Sequence, residues 1–329
     1  MTGPAAALGR TPQGGILRLV VPYKLLRLDP HALHDPIASL FGAAVADPLY
    51  ALDTLGRTYP ALASGPPELG PSGARVRLRR DLRTARNEPL TARDVLASLE
   101  RARRRGAAAL LGAFGQPSPV RNDPLAVDFP RAEPAQLAQT LASPLLAVLP
   151  KSFSPLEPDG TGAFTARFDK GTLTLSRNGN AARGPAFLDA IEVHTAVDLA
   201  DALRAFESGA VDVGWLGSGL HRPRRGAVPF RGAHYGWAVL RTGRVGPWGA
   251  PGVAQRLLDG VDPSRLRHLG LEGLPRARDP GVAWGGGPTE LHVLEDAPQL
   301  ISIARTLAEA LGRPGHELTV VLKSHPEIE

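Results

Sequence analysis

The chain has 329 residues, of which 43% are hydrophobic and 21% are charged, a balance typical of folded globular proteins. Its 37 glycines and 32 prolines indicate many turns, but they follow no fixed period, so collagen-like, coiled-coil and wholly disordered chains are excluded. The 38 lysines and arginines outnumber 32 acidic residues, and nearly all of these cations are arginines. Arginine stays charged at physiological pH and could attract nucleic acid or other anions. We favour the simpler interpretation, an arginine-rich composition without binding specificity.

The sequence contains no cysteine, which excludes disulfides, thiol catalysis and cysteine-bound zinc or iron–sulfur clusters. Residues 1–13 lack the basic start and apolar stretch of a signal peptide, so none is predicted in this chain. No run of about 18 apolar residues predicts a membrane span. Two locations are therefore open: periplasmic or extracellular if a leader was removed, and cytoplasmic otherwise.

Short strands and helices are predicted in the first part of the chain. An apolar run at residues 16–21 predicts a buried strand. The Leu-Asp-Pro-His sequence at residues 28–31 predicts a turn, because proline keeps the residue before it out of the helical region. Residues 37–45 predict an apolar helix. Residues 74–80 alternate apolar side chains with arginines, which predicts a strand with one buried and one basic face.

A helix is predicted from Thr91, because Thr91 and Asp94 have the spacing of a capping box. Its apolar side chains recur with helical spacing and predict one buried face. Four arginines between positions 101 and 105 precede Gly106. We expect the helix to end there, with the arginines complementing its dipole.

The second half of the chain predicts a parallel sheet with helices between its strands. A strand at residues 189–194, a helix that Asp198 and Asp201 begin and Gly209 ends, and a strand at residues 211–213 form a βαβ pattern. The other predicted strands are at residues 172–177, 235–240, 291–294 and 318–322, the last parallel to an earlier one. The other predicted helices are at residues 136–141, 252–258 and 298–311, and from residue 262.

No group of side chains predicts catalysis. The Gly-Ser-Gly sequence at residues 217–219 lacks the spacing of a nucleophile elbow. The glycine run at residues 285–287 precedes a predicted strand rather than a helix, which argues against a dinucleotide-binding loop. We therefore expect no catalytic residue, no cofactor and no enzymatic activity.

Two polar clusters could bind small ligands. His31 and His34, with an aspartate beside each, have the chemistry of a metal site. The prolines around them indicate a turn without a common side-chain direction, so we favour ordinary turn or surface histidines and expect no metal. Three arginines at residues 222–225 could bind an anion, but no aromatic residues alternate with them as nucleic-acid stacking requires, and a solvated loop is favoured.

Four aromatic residues form a candidate binding site. Trp215 follows a predicted strand at its carboxyl end, which is where ligands bind in open parallel sheets. Tyr235, Trp237 and Trp248 follow within the next 33 residues, so three of the four tryptophans of the chain lie close in sequence. Packing in the core is the alternative for each of them. Their proximity in sequence predicts a binding crevice.

Several short motifs also follow one another in a characteristic order over residues 14–270. They are the strand that Gly14 opens, the Leu-Asp-Pro-His turn at 28–31, the stretch from tyrosine to Pro-Ala-Leu-Ala at 50–63, Pro-Leu-Thr-Ala-Arg-Asp-Val at 89–95, Gly-Thr-Gly-Ala-Phe at 160–164, Gly-Pro-Ala-Phe-Leu-Asp-Ala-Ile at 184–191, and Ser-Gly-Ala-Val-Asp at 208–212. In this order the chain resembles the peptide/nickel-type solute-binding proteins of ABC transporters, family 5 of the extracellular solute-binding proteins. It departs from the family at residues 84–88, where Thr-Ala-Arg-Asn-Glu replaces Phe-His-Asp-Gly.

The resemblance implies an α/β, two-lobed periplasmic-binding-protein-like fold with a small extra α+β domain. It implies that residues 14–46 and 160–234 form lobe I and residues 47–159 the small inserted domain. Residues 235–329 would form a shortened lobe II, because the family's chains are usually longer. Such lobes close on a ligand by hinge motion.

The function that the resemblance implies is delivery of a peptide or similar solute to an ABC importer, with the ligand in a cleft between the lobes. Trp215, Tyr235, Trp237, Trp248 and His31 are the candidate ligand-binding residues. The expected partners are the solute and an ABC permease; no nucleic acid is expected, and the chain is expected to be a monomer. The alternatives are a scaffold protein that uses the same fold without transport, and an arginine-driven anion or nucleic-acid binder.

Overall fold

The computed structural model describes residues 13–21, 23–32, 35–196, 199–213, 226–228, 239–241, 243, 252–259, 261–262, 287–295 and 298–324. The chain forms two compact units, unit 1 from Met1–Arg18 and Leu25–His194 and unit 2 from Leu19–Lys24 and Thr195–Glu329. Within the described ranges, no helix is both long enough and apolar enough to cross a membrane.

Strands and helices are interspersed along the chain. The strands are β1 (Ile16–Val21), β2 (Tyr50–Leu52), β3 (Thr58–Pro60), β4 (Glu68–Gly70), β5 (Gly73–Arg77), β6 (Ser118–Val120), β7 (Asp123–Pro130), β8 (Phe164–Asp169), β9 (Thr172–Arg177), β10 (Ala190–Thr195), β11 (Thr289–Leu294) and β12 (Leu318–Lys323). The helices are α1 (Pro36–Val45), α2 (Ala92–Ala102), α3 (Ala108–Leu111), α4 (Pro134–Thr140), α5 (Leu199–Ser208), α6 (Val253–Asp259) and α7 (Pro298–Leu311). The strand predicted at 235–240 and the helix predicted from 262 fall largely outside the described residues.

One four-stranded sheet has the order β1-β10-β9-β8, and its strands belong to unit 1 apart from the last residues of β1 and β10. Strands β8, β9 and β10 pair antiparallel, and Leu173 and Leu175 of β9 are fully buried at alternate positions, as period-two geometry requires. Helix α1 begins where Asp35 accepts a hydrogen bond from the backbone N–H of Ile37 at 2.8 Å. The helix packs against β8. The predicted strands at 16–21 and 172–177 are confirmed, but only Val20 and Val21 of the first strand are buried.

A second four-stranded sheet of unit 1, in the order β4-β5-β7-β6, is antiparallel throughout. Helices α2 and α4 pack on it and enclose a large apolar core whose members all lie between Leu49 and Val148. Val76 and Leu78 point into this core, and Arg75 of the opposite face pairs with Asp128. The predicted alternation over 74–80 is therefore confirmed, although β5 itself ends at Arg77.

Helix α2 begins and ends as predicted. The backbone N–H and the hydroxyl of Thr91 both donate to the Asp94 carboxylate, at 2.9 and 2.8 Å. Regular α2 ends at Ala102, and Gly106 breaks the helix with a φ of 109° and a ψ of −10°, which are not helical. The short helix α3 that follows this kink was not predicted; Ala107 and Leu111 bury it in the core.

Unit 2 contains parallel pairings. Where the sequence predicts a strand at 211–213, only Val213 is paired, in an isolated parallel bridge to Leu19. Val20, Ala202 and Val211 form a small core with α5. The residue after α5, Gly209, has a φ of 83°, so it ends the helix in the left-handed conformation that glycine favours. Strands β11 and β12 pair in parallel, and α7 covers one face of the pair. Helix α7 has the predicted bounds.

Candidate functional site

Of the five candidate ligand-binding residues, only His31 lies among the described residues. Trp215, Tyr235, Trp237 and Trp248 lie outside them. Their role in binding stays a prediction. In unit 1 the structure describes in full the motif segments that carry the family resemblance, and two buried charged clusters join these segments.

His31 is buried, and both of its ring nitrogens have partners. Nε2 lies 2.8 Å from the backbone carbonyl oxygen of Ala147, and Nδ1 lies 3.0 Å from a guanidinium nitrogen of Arg101. Because arginine only donates hydrogen bonds, Nδ1 is the acceptor, and Nε2 must carry the proton that it donates to Ala147. The neutral ring fits this geometry, since burial lowers the pKa of His31 to about 4. A ligand that bound either ring nitrogen would have to replace one of these hydrogen bonds.

Asp29, two residues before His31, is held by two arginines. The guanidinium of Arg101 donates to both of its carboxylate oxygens, at 2.7 and 2.8 Å, and Arg105 lies 3.2 Å from the second oxygen. Burial alone would raise the pKa of Asp29, but the hydrogen bonds and charge of Arg101 outweigh it, so this pKa lies below its ordinary value. We call Asp29, His31, Arg101 and Arg105 the Asp29 cluster.

The Asp29 cluster corrects the interpretation of the arginines at the end of α2. Arg101 and Arg105 were expected to complement a helix dipole, whereas they neutralise a buried carboxylate 72 and 76 positions earlier in the sequence. Arg101 also lies over the ring of Phe153, 5.2 Å from its centre. The cluster thus joins the Leu-Asp-Pro-His turn to the second sheet's helix α2.

Residues 149–151, which follow the last core residue Val148, are hydrogen-bonded to α2. The Ser98 hydroxyl donates to the carbonyl of Leu149 at 3.1 Å and accepts from its N–H at 2.9 Å. One turn earlier, the Asp94 carboxylate accepts from the backbone N–H of Lys151 at 3.2 Å. Because this segment also supplies the carbonyl that His31 contacts, it connects α2 to the Leu-Asp-Pro-His turn a second time.

A second cluster, the Asp47 cluster, consists of Asp47, Tyr59, Thr161 and Arg183. Asp47 is buried; it accepts from the Thr161 hydroxyl at 3.0 Å and from Nε of Arg183 at 2.7 Å. Burial raises the pKa of Asp47 in spite of these two partners. Arg183 also donates to the Tyr59 hydroxyl at 3.2 Å. The cluster joins the stretch at 50–63 to the Gly-Thr-Gly motif.

Residues 84–88, where the sequence departs from the family motif, form a tight turn. Asn87 adopts a φ of 68°, a left-handed conformation that asparagine tolerates better than most residues. The turn docks at the start of the Gly-Thr-Gly motif: the N–H of Ala85 donates to the carbonyl of Gly160, and the N–H of Arg86 donates to the Asp159 carboxylate. These residues are therefore held through their backbone N–H groups.

These clusters are structural. Their carboxylates are already paired with arginines. In the part of the chain that the structure describes, no group of three or more metal-ligating side chains is positioned to hold an ion. What the clusters do is fix the family-like motifs to one another inside unit 1.

The chain matches the family model of the bacterial extracellular solute-binding proteins, family 5 (middle), over residues 57–221. This match covers half of the chain, and the chain belongs to that family. The family is one of extracellular binding proteins, not enzymes. No curated protein matches the chain.

Solved structures show the same fold at low sequence identity. They include AppA, the oligopeptide-binding protein from Bacillus subtilis in complex with a nonapeptide (TM-score 0.68, 14% identity, 97% of this chain and 76% of that chain). The peptide-binding pheromone receptor PrgZ is similar over 97% of this chain and 78% of that chain, with a TM-score of 0.67 and 13% identity. NikA from Brucella suis in complex with Fe(III)-EDTA is similar over 95% of this chain and 76% of that chain, with a TM-score of 0.63 and 18% identity.

The fold prediction is confirmed by these similarities. The chain has the mixed α/β fold of periplasmic binding proteins. It covers about three quarters of each of these three chains, which fits the predicted shortening.

Proposed function

We propose that this protein binds a short peptide or a similar small solute and delivers it to an ABC importer. Membership of family 5, from the match over residues 57–221, is the observation that carries the proposal. The described structure supports it, because the family-like motifs are fixed by buried ion pairs whose groups are not free to react. AppA and PrgZ, two proteins of similar fold, bind peptides.

The ligand contacts proposed are Trp215, Tyr235, Trp237 and Trp248, with His31 as a fifth candidate. Aromatic side chains offer large contact areas that are sequence-tolerant, which suits a protein that takes several peptides. His31 has both nitrogens engaged inside unit 1, so any part that it plays would be through the position of its turn.

The three-part division of the chain is also proposed. The core between Leu49 and Val148 is self-contained enough to support an inserted domain at residues 47–159. Residues 14–46 with 160–234 would then form lobe I, and residues 235–329 the shortened lobe II. We further propose that the protein works outside the cytoplasmic membrane, as a monomer that meets an ABC permease.

Tryptophan fluorescence tests ligand binding. The purified protein is titrated with defined peptides of increasing length, and we expect a saturable change in emission with at least one of them. Because three of the four tryptophans belong to the proposed contacts, binding should alter their surroundings. If no peptide changes the fluorescence and none gives a heat of binding in calorimetry, the proposal is contradicted.

Two matched variants locate the site. Trp237→Ala should weaken the calorimetric affinity about tenfold or more, the usual cost of removing a buried aromatic contact. Trp284→Phe, at the one tryptophan outside the proposed set, should leave the affinity unchanged. Equal losses in both variants, with both proteins folded by circular dichroism, would show that the proposed aromatic set is wrong.

A further inference from the structure

His31 joins three parts of unit 1 that are distant in sequence. Its ring contacts the backbone carbonyl of Ala147 through Nε2 and the guanidinium of Arg101 through Nδ1, at 2.8 and 3.0 Å. The same turn donates the N–H of Leu28 to the carbonyl of Pro155 at 2.9 Å. The Leu-Asp-Pro-His turn, helix α2 and the segment from Ala147 to Pro155 therefore meet at one ring, which is only 1% exposed.

The groups around this ring already carry one excess positive charge. In the described part of the chain, the charged groups near His31 are Asp29 of its own turn, Arg101 of α2 and Arg105 beyond it. The segment at Ala147 faces the ring with a carbonyl, and helix α1, which packs against the same turn, contains no charged side chain. Two guanidinium groups thus face one carboxylate, and a charged ring would add a second unbalanced positive charge.

A proton on Nδ1 of His31 would meet a hydrogen-bond donor. In the neutral ring Nδ1 accepts from Arg101, and protonation turns this nitrogen into a donor that faces another donor. The Oδ1 atom of Asp29 is already engaged, because it accepts from Arg101 at 2.7 Å and from the His31 N–H at 3.1 Å. The charged ring would therefore stay buried without a hydrogen bond at Nδ1, which costs free energy.

We propose that His31 is an acid-operated latch: when Nδ1 takes up a proton, the Leu-Asp-Pro-His turn leaves its buried position against α2 and opens to water, while the two four-stranded sheets stay folded. The turn contributes no member to the core between Leu49 and Val148, so its opening leaves that core intact. The proposal rests on the contacts inside unit 1 and not on solute binding.

The direction of the pH effect follows from burial. Burial lowers the pKa of His31 from 6.5 to about 4 while the turn is closed. A turn that is open to water regains the ordinary pKa and so binds the proton more tightly than the closed turn. Opening is therefore favoured as the pH falls below 6.5, and the effect is complete near pH 4.

Hydrogen exchange of the full-length protein, measured by mass spectrometry between pH 4 and 7, tests the latch. After correction for the intrinsic exchange rate, fragments that cover residues 25–32 report opening of the turn, and fragments that cover β5 and β7 report unfolding of the core. Because one proton is taken up per opening, the opening equilibrium of the turn should rise about tenfold for each pH unit below 6.5. At every pH the turn should open more often than the core.

Two histidine variants assign the effect to one ring. His31→Asn removes the titrating group and keeps an amide oxygen that can accept from Arg101, so opening of the turn should lose its pH dependence. His194→Asn is the matched control, because His194 is partly exposed on β10, where its Nδ1 lies 3.2 Å from the Thr172 hydroxyl oxygen. This variant should keep the tenfold change per pH unit.

Nitrogen chemical shifts of histidine-labelled wild-type protein test the latch without a variant. Ordinary histidines are mostly charged at pH 5. Among the nine histidine rings of the chain, at least one should still be neutral at pH 5, with its proton on Nε2. That ring should become charged over the same pH range in which the turn opens.

Several results would overturn the proposal. Opening of the turn that does not change with pH, or that changes equally in His31→Asn, shows that His31 does not control it. Equal opening of turn and core at every pH indicates global unfolding instead of a latch. The absence of any neutral histidine ring at pH 5 contradicts the closed state itself. Each of these results leaves the test of solute binding by tryptophan fluorescence unaffected.

Discussion

Asp29 is a buried carboxylate whose charge is balanced by a bidentate pair with Arg101 and by the nearby Arg105. A buried ion pair stabilises a fold less than its Coulomb energy suggests, because both ions lose water. Removing one partner is costly for the same reason: the remaining charge stays buried and unpaired. Arg101 is therefore important mainly because its removal would leave the buried Asp29 carboxylate without its bidentate partner.

We expect Arg101→Met to lower the free energy of unfolding by about 3 kcal/mol, because Arg105 alone cannot replace a bidentate partner. Urea denaturation measures the change. The matched control is Arg57→Met, which breaks an exposed pair with Asp53 and should cost less than about 1 kcal/mol. The double variant Asp29→Asn/Arg101→Met should be more stable than Arg101→Met. If it is equally unstable, the unpaired charge is not the cause.

His31 should make stability depend on pH. Its pKa is lowered to about 4 in the folded protein, against an ordinary value of 6.5, so between these values the unfolded chain binds the extra proton. Stability from this residue is complete above pH 6.5 and is lost as the pH falls towards 4. The loss should be about 3 kcal/mol.

Urea denaturation of the wild type and of His31→Asn across pH 4–7 checks this expectation. The wild type should lose stability more steeply than the variant as the pH falls, because asparagine does not titrate. Parallel pH profiles would contradict the assignment of a neutral, buried His31.

At the residue scale, the sequence identifies the residues of the Asp29 cluster but not which of them pair. The Leu-Asp-Pro-His turn and the arginines of α2 were both recognised, but a 72-residue separation gives no local signal that Asp29 and Arg101 meet. His31 lies in a turn, as one of the two expectations had it, and is buried there rather than at the surface. The burial of His31 depends on the segment around Ala147, which packs against it and is distant in sequence.

At the scale of elements, the Gly-Thr-Gly motif is explained by close backbone contact. A Cβ atom added to Gly162 would lie 2.4 Å from the carbonyl oxygen of Ala44 at the end of α1. A Cβ atom added to Gly160 would lie 2.4 Å from the carbonyl oxygen of Val45. Both neighbours are backbone atoms, which cannot rotate away as a side chain could.

We therefore expect Gly162→Ala to lower the free energy of unfolding by about 3 kcal/mol, because the motif must move off α1. Thermal or urea unfolding measures this loss. Gly179→Ala is the control, since nothing lies within 4 Å of the added atom, and its stability should change by less than about 1 kcal/mol. A Gly162→Ala protein as stable as the control would show that the motif is not tightly packed.

Element prediction succeeded where a pattern is local. The capping box at Thr91 and the apolar stripe of α7 are local, and both helices are where the sequence predicts them. Gly106 after four arginines is typical of a helix end, and its φ of 109° does break the helix. The short helix α3 after it was not predicted, because it is held by the burial of Leu111 rather than by a local pattern.

At the scale of the whole molecule, the ion pairs help to interpret the excess of basic residues. Many arginines of unit 1 pair with acids inside the protein, as Arg75 does with Asp128 and Arg183 with Asp47. This supports the interpretation that the net charge reflects composition rather than a broad nucleic-acid surface.

The family and the fold were predicted from the order of short motifs, and the family match and the solved structures confirm both. The ligand could not be predicted in the same way. No single motif identifies the ligand. The aromatic contacts proposed for the ligand rest on sequence proximity and on the geometry of strand ends.

Native mass spectrometry of the purified protein, mixed with an equimolar set of short peptides of different mass, tests the central claim most directly. The account predicts a folded protein that retains one peptide per chain, with some masses strongly preferred over others. A folded protein that retains no peptide, or that retains all of them in equal and non-saturating amounts, would contradict it.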